Sequence, residues 1–299
     1  MEILRAAIVP IALVALAGAV MGRCFELEIK TLSRLNLYLL FPALVLTGLQ
    51  SSSLSGAIAL RLVTAVWLTS ALLYGVAIMV ARICGWAANE QKSLVATTLF
   101  SNTGNMGLPF VLFALGDAGL ERAIVYMVAS ALMVATVGPI ALRGEGVKQG
   151  LRFTLRLPIV WATFAGVALQ FWVLQLPGPL ERGVVMLGEA AIPLALLTLG
   201  IQLARTPFSF GIPEGVSAGL RLVVSPLVAF GVGRSLGLSG LELQVLVVQA
   251  AMPVAVSSVV WVTELGGDAG RVARAVVLST VLSLGSLPGV LWLVQRGVG

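Results

Sequence analysis

The sequence predicts an all-α integral membrane protein of ten transmembrane helices in two inverted five-helix repeats, with helices 4 and 9 interrupted. Three observations carry the prediction. The chain has 299 residues, 59% of them hydrophobic, with a mean hydropathy of +1.03. Only 11% are charged, against about 25% in soluble domains. Residues 101–109 read Ser-Asn-Thr-Gly-Asn-Met-Gly-Leu-Pro inside an apolar stretch, where a spanning helix must satisfy its own backbone hydrogen bonds. The third observation is a set of markers that recurs in the same order in both halves of the chain.

A span needs about 20 apolar residues. Ten stretches qualify, at roughly 3–22, 33–50, 57–82, 92–115, 120–141, 157–176, 184–204, 215–236, 242–263 and 271–294. The first could be mistaken for a signal peptide. Its apolar run is longer than an h-region of about 7–15 residues, so it reads as a span. The longest polar connection carries Arg143, Lys148, Arg152 and Arg156. It divides the chain into a first repeat, 1–142, a cytoplasmic linker, 143–156, and a second repeat, 157–299.

Gly116-Asp117-Ala118-Gly119 recurs as Gly267-Asp268-Ala269-Gly270, an offset of 151. Pro42 and Thr47 recur at the same offset as Pro193 and Thr198. Arg82-x-x-Gly85 and Glu90 recur at 152 as Arg234-x-x-Gly237 and Glu242, and Leu60–Val63 recurs at 160 as Leu220–Val223. Five spans is an odd number, so the second copy enters the membrane upside down, as in many secondary transporters.

Lys and Arg set the orientation. The loops after the odd-numbered spans hold twelve, the opposite side holds six, and Arg221 lies in or near the eighth span. Basic loops stay cytoplasmic, which puts both termini outside the cytoplasm of an inner-membrane protein. The net charge of +6 therefore reports topology and not nucleic-acid binding.

The candidate site lies at the interruptions. Asn102 and Asn105 offer amide donors without fixed charge. Gly104 lets backbone or ligand approach closely, and Pro109 removes a helix donor. At offset 151, Met252-Pro253 falls on Ser101-Asn102, and Ser257-Ser258 falls on Met106-Gly107. Two interrupted helices at matching positions should meet near the midplane, with positive helix ends aimed at an anion. Substrate-binding candidates are Asn102, Asn105, Gly104, Pro109, Pro253, Ser257 and Ser258. Against these stand structural roles: Asn as interhelical glue, Ser as a small packing residue. Glu189, about one turn into the seventh span, is the coupling candidate, or else reaches the interface. Arg61 and Arg221 snorkel to headgroups or attract an anion. The chain has no His, and Cys24 and Cys84 form no metal-type cluster. No metal, cofactor or catalytic set is expected.

The runs NTGNMGLP at 102–109, LGEAAIPLALLTLGIQL at 187–203 and AMPVAVSSVVWVTELGGD at 251–268 resemble the auxin efflux carrier family. Its bacterial members include malonate-type permeases and its plant members the PIN proteins. The resemblance covers essentially the whole chain. It implies a fold like the bile acid/sodium symporters, with fourth and ninth helices that cross where proline breaks them. It implies a scaffold of spans 1, 2, 6 and 7, and a transport domain of spans 3–5 and 8–10. It implies that Asn102 meets a carboxylate, and that the chain forms a homodimer. The sequence departs from plant members in lacking a long central loop and an acid in the third span.

The function expected is a secondary carrier of small organic anions in the lipid bilayer. A cation- or proton-coupled symporter or antiporter of the same fold is the alternative, although the interrupted spans carry Asn and Ser where such exchangers use an acid. A channel would show a charged ring or a filter repeat, and neither is visible. An intramembrane enzyme would need a nucleophile with its base, or a metal.

Overall fold

The computed structural model describes residues 2–143, 147–206 and 211–297. All its elements are helical, apart from one isolated β-bridge. Among the described residues, six helical stretches are long and apolar enough to cross a membrane. They are Ile29–Gln50, Gly56–Ile83, Thr103–Leu142, Gly178–Arg205, Ile212–Ser235 and Ala269–Arg296. Among the other expected spans, the sixth is a helix of 14 residues and the ninth is interrupted.

The chain divides into two compact units. Unit 1 comprises residues 1–55, 104–124 and 152–205, and unit 2 comprises 56–103, 125–151 and 206–299. In unit 1, α1 (Glu2–Cys24) leads to α2 (Ile29–Leu35), which continues through a π turn at Asn36–Leu40 into α3 (Phe41–Gln50). In unit 2, α4 (Gly56–Ile83) is followed by α5 (Ala88–Leu99), which is only 12 residues long. A π turn at Thr103–Gly107 then opens α6 (Leu108–Arg143). Gly116 (φ 69°, ψ −169°) breaks α6 within the Gly-Asp-Ala-Gly motif, so two spans run through one 36-residue element.

The expected linker, 143–156, is mostly helical where it is described. It forms α7 (Val147–Thr154), and Gly150 packs so closely on the Thr136 carbonyl that a Cβ would lie 2.4 Å from it. The expected linker is thus partly a short helix, and residues 144–146 of it lie outside the described residues. After it, α8 (Pro158–Phe171) ends early, with Val173 at φ 53°. Then come α9 (Gly178–Arg205), α10 (Ile212–Gly219), a π turn at Leu220–Val224 and α11 (Ser225–Ser235). The last helices are α12 (Gly240–Ala250), α13 (Ser257–Leu265) and α14 (Ala269–Gly297).

Proline explains the π turns. Each ends two residues before a proline: Pro42, Pro109 or Pro226. A helical proline lacks its N–H and pushes away the carbonyl four residues back. That carbonyl belongs to Tyr38, Asn105 or Leu222, the middle residue of each five-residue turn. Widening to the π spacing relieves the clash without ending the helix.

Within unit 1, α1 and α9 pack through glycines. A Cβ on Gly200 would lie 1.8 Å from the Ala15 carbonyl oxygen, and one on Gly18 would lie 2.2 Å from that of Leu197. Membrane helices associate by such close approach, since lipid provides little hydrophobic drive between them. Arg205 closes the same contact. Its guanidinium donates to the carbonyls of Gly22, Phe25 and Leu27 at the end of α1. Residues 104–124 join unit 1 through Ile124, which fills the space beside Gly48, and through Glu121, which accepts from Ser52 and Ser53.

The duplicated markers have duplicated local structure. Gly85 (φ 66°) and Gly237 (φ 72°) both terminate a helix in the left-handed conformation. The hydrogen bonds match, Trp86 N–H to Ala81 and Leu238 N–H to Gly233, each the six-residue closure of a Schellman cap. Gly116 and Gly267 are both at positive φ. Thr47 and Thr198 both donate to the carbonyl four residues back, at 3.0 and 2.7 Å.

Candidate functional site

In unit 2, α5 and α12 both stop short, and the segments that follow them pair. Phe100 is extended (φ −92°, ψ 90°). Ser101 and Val254 form an antiparallel bridge. Asn102 N–H donates to the Pro253 carbonyl at 2.8 Å, and Ala255 N–H donates to the Phe100 carbonyl at 2.8 Å. Val254 N–H cannot reach the partner strand and donates instead to Ser279 Oγ of α14, at 3.1 Å. Proline suits position 253 because it has no N–H to satisfy. Every residue of the pair from Phe100 to Asn102 and from Met252 to Ala255 is buried. Such backbone is tolerated at membrane depth only where protein or a water-filled cavity surrounds it.

Four of the predicted residues belong to this unit. Asn102 is 4% exposed, and its side-chain Nδ2 has no hydrogen-bond partner. Pro253 lies in the pair itself. Ser258 is fully buried and donates to the Ala255 carbonyl, which occupies its hydroxyl internally. Ser257 is exposed, at the first position of α13.

The other candidates fall in unit 1. Gly104 and Asn105 are half-buried within the π turn, and Pro109 is buried two residues beyond it. The interruption therefore precedes the glycines that pointed to it. It falls at Phe100–Asn102, while Pro109 widens the helix and does not break it. Glu189 stands on the exposed side of α9, next to Gly188, which packs on Leu44.

Arg221 is the residue the sequence misread. It does not snorkel: it is 2% exposed and is the largest of the fully buried side chains among the described residues. Its Nη1 donates to the Thr98 carbonyl at 2.5 Å, Nη2 to Ala250 at 2.5 Å and Nε to Met252 at 3.0 Å. The guanidinium thus caps the carbonyl ends of α5 and α12 together. Its sequence counterpart, Arg61, is exposed.

The electrostatics follow. A helix C-terminus carries about −0.5 charge and an N-terminus about +0.5. Arg221 neutralises the two negative ends beside the pair. The helical segments that start after it, at Thr103 and Ser257, keep their positive ends. Asn102, with its unpartnered amide, directly precedes the first of them in the chain.

Two more orphans adjoin the pair. Gln249 is fully buried with neither amide atom partnered, and Thr98 Oγ1 also lacks a partner. They occupy equivalent positions, at offset 151. Neither stands out in sequence, since a Gln and a Thr in apolar helices carry no motif.

Comparison with known proteins decides the family. The model of a family described as "Membrane transport protein" matches residues 5–291. The chain belongs to that family, the auxin efflux carriers. This carrier is 32% identical over 279 residues to an "Uncharacterized transporter" of Methanothermobacter thermautotrophicus, covering 91% of each chain. It is 30% identical over 216 residues to a "Putative malonate transporter" of Rhizobium meliloti, covering 66% of this chain and 65% of that one. It is 25% identical over 140 residues to "Auxin efflux carrier component 3a" of Oryza sativa subsp. japonica, covering 44% of this chain and 23% of the relative. The carrier is a multi-pass membrane transporter, and its relatives are transporters and not enzymes.

Proposed function

We propose that this carrier moves small organic carboxylates across the cytoplasmic membrane, by alternating access of a site at the Ser101–Val254 pair. One observation carries the reading. An amide donor that is buried and unpartnered, Asn102 Nδ2, directly precedes a helical segment, its backbone is paired with Pro253, and the neighbouring negative helix ends are neutralised. A carboxylate would supply the missing acceptor and meet the positive ends. The relative described as a malonate transporter fits this class.

The architecture proposed is ten spans in two inverted repeats, with the fourth and ninth broken and crossing at the pair. The shared caps and back-bonds of the duplicated markers support the repeat. Unit 1 holds the first, second, sixth and seventh spans, with residues 104–124 of the fourth and fifth, and is the proposed scaffold. Unit 2 holds most of the rest and is the proposed moving part. Both termini are placed outside the cytoplasm by the Lys and Arg count.

The test is uptake into proteoliposomes of a panel of mono- and dicarboxylates. Saturable uptake of at least one carboxylate is the expected result. Absence of uptake for the whole panel, or conductance that does not saturate, would refute the reading. A proton-coupled form rests on Glu189, about a third of the way along α9, since a carboxylate so placed in a membrane segment marks a coupling site by default. On that form Glu189→Gln transports without the pH dependence of the wild type.

A further inference from the structure

We propose that Arg221 is a resident counter-cation: its guanidinium holds the carbonyl ends of α5 and α12 and takes the place that a coupling metal cation would fill. The proposal rests on the Ser101–Val254 pair being the transport site, and extends it to what the carrier runs on.

The charge balance points there. Arg221 is buried in a chain segment that reads as membrane-spanning, and its acceptors are neutral: three backbone carbonyls. A buried charge without compensation is expelled or neutralised. Two helix C-termini together present about one negative charge, at about −0.5 each, which matches one guanidinium. Ser225 Oγ donates to the Ala250 carbonyl at 2.8 Å and fixes one of these acceptors further.

The donor set also matters. In discontinuous membrane helices, unwound carbonyls and half-helix C-termini are the groups that coordinate Na⁺. Here the same kind of groups, Thr98, Ala250 and Met252, are already bound by a covalently attached cation. The planar fork reaches acceptors on two helices at once, which a point-charge ammonium does not. Arg221 is therefore a positioning residue. It holds the two helix ends in register, and through them the Asn102–Pro253 pair, while leaving no vacancy for Na⁺ or K⁺.

Two consequences can be measured. Wild-type uptake should be unchanged when Na⁺ is replaced by K⁺, Li⁺ or N-methylglucamine. Arg221→Ala leaves the two negative ends facing an empty volume, so it should lose about tenfold or more of its uptake, the equivalent of one good hydrogen-bonded contact. It should also gain cation sensitivity. Its Tm in detergent, read without any substrate, should rise with millimolar guanidinium, as ligand binding to the folded state requires. Wild type and Arg221→Lys, whose charge is still present, should show no such rise.

Guanidinium-dependent recovery of uptake by Arg221→Ala would support the positioning role, which general destabilisation does not produce. Failure of both Tm and uptake to respond to guanidinium or Na⁺ would overturn it. So would wild-type uptake that requires an inorganic cation, and that test needs no variant. If Arg221→Ala yields no folded protein, Arg221→Lys decides. Reduced uptake without Na⁺ dependence supports the proposal, and uptake equal to wild type, or dependent on Na⁺, rejects it. Because the Tm arm uses no substrate, it stands even if the carboxylate reading fails.

Discussion

Asn102 and Pro253 stand 151 residues apart, the offset at which the sequence markers recur, and the N–H of one donates to the carbonyl of the other at 2.8 Å. The pairing uses the one asymmetry that matters. Asn102 has an N–H to give and a side chain left over, while Pro253 has only a carbonyl. The first half of the chain therefore contributes the amide and the second contributes the acceptor. A site built on this pair is lopsided even where the repeats match.

Asn102 is accordingly the most sensitive position. Asn102→Ala keeps the backbone bond and removes the unpartnered amide. A lost hydrogen bond to a charged group costs about 1.5–3 kcal/mol, roughly 10- to 150-fold in affinity. Carboxylate uptake should fall by that order with the amount of protein unchanged. Asn102→Asp should fall further, since it sets like charge against the anion. Uptake at the wild-type rate by Asn102→Ala would remove the residue from the site.

Ser279 tests the pair from its other side. Its hydroxyl accepts from the Val254 N–H, and both groups are buried. Ser279→Ala leaves that N–H without an acceptor, at a cost of about 1–3 kcal/mol. The Tm should drop by several degrees and uptake should fall with it. Ser283→Ala on the same helix, away from the pair in sequence, should leave uptake largely intact.

The glycine contact of unit 1 gives a clean steric comparison. Gly200→Ala puts a Cβ 1.8 Å from the Ala15 carbonyl oxygen, so α1 and α9 must separate. Gly183→Ala in the same helix meets nothing within 4 Å. The first should lower the Tm and yield of folded protein sharply. The second should be neutral or slightly stabilising, because alanine is the better helix former. Equal behaviour of the two variants would contradict the packing.

Glu90 predicts an acid-sensitive contact outside the expected spans. It accepts from Arg271 at 2.6 Å and from the Ala87 N–H at 2.9 Å, and these bonds hold its carboxyl below the usual carboxylate value. Arg271 also stacks on Trp86. A lowered folded-state pKa means the contribution is complete above the unfolded value, near 4.5, and is lost as pH falls through the lower folded value. The Tm of wild type should decline as pH drops below about 4.5, and Glu90→Gln should show a shallower decline. Parallel curves for the two proteins would exclude Glu90 as the titrating group.

Much of this was legible in sequence because membrane chemistry is strict. Apolar stretches gave the class, and NTGNMGLP with its partner segment gave the family. The polar run also marked the neighbourhood of the interruption. Its place was harder to read. Proline at 109 suggested a break, yet here it follows a π turn that keeps the helix continuous, and the chain opens earlier, at Phe100. Arg221 was misread for a deeper reason. Its four-residue context, Leu-Arg-Leu-Val, is identical to that of exposed Arg61. Only the tertiary arrival of Thr98, Ala250 and Met252 makes one arginine a buried cap and leaves the other at the surface. Gln249 is silent for the same reason, since an orphaned amide is defined by what fails to meet it.

The orientation remains to be tested, and the chain's own thiols do it. Cys24 at the end of α1 and Cys84 just after α4 are free and exposed. The Lys and Arg count places both on the cytoplasmic side, because they follow the first and third spans. A membrane-impermeant maleimide should therefore leave both unlabelled in intact cells, and label them once the membrane is opened. Labelling of both from outside would reverse the orientation while keeping the repeat, because two spans separate them. Labelling of one alone would be more damaging. It would put an odd number of crossings between residues 24 and 84, where the proposed topology requires α2 with α3 as one span and α4 as the next. The inverted relation of the two copies depends on that parity, so this result would reject the repeat architecture along with the orientation.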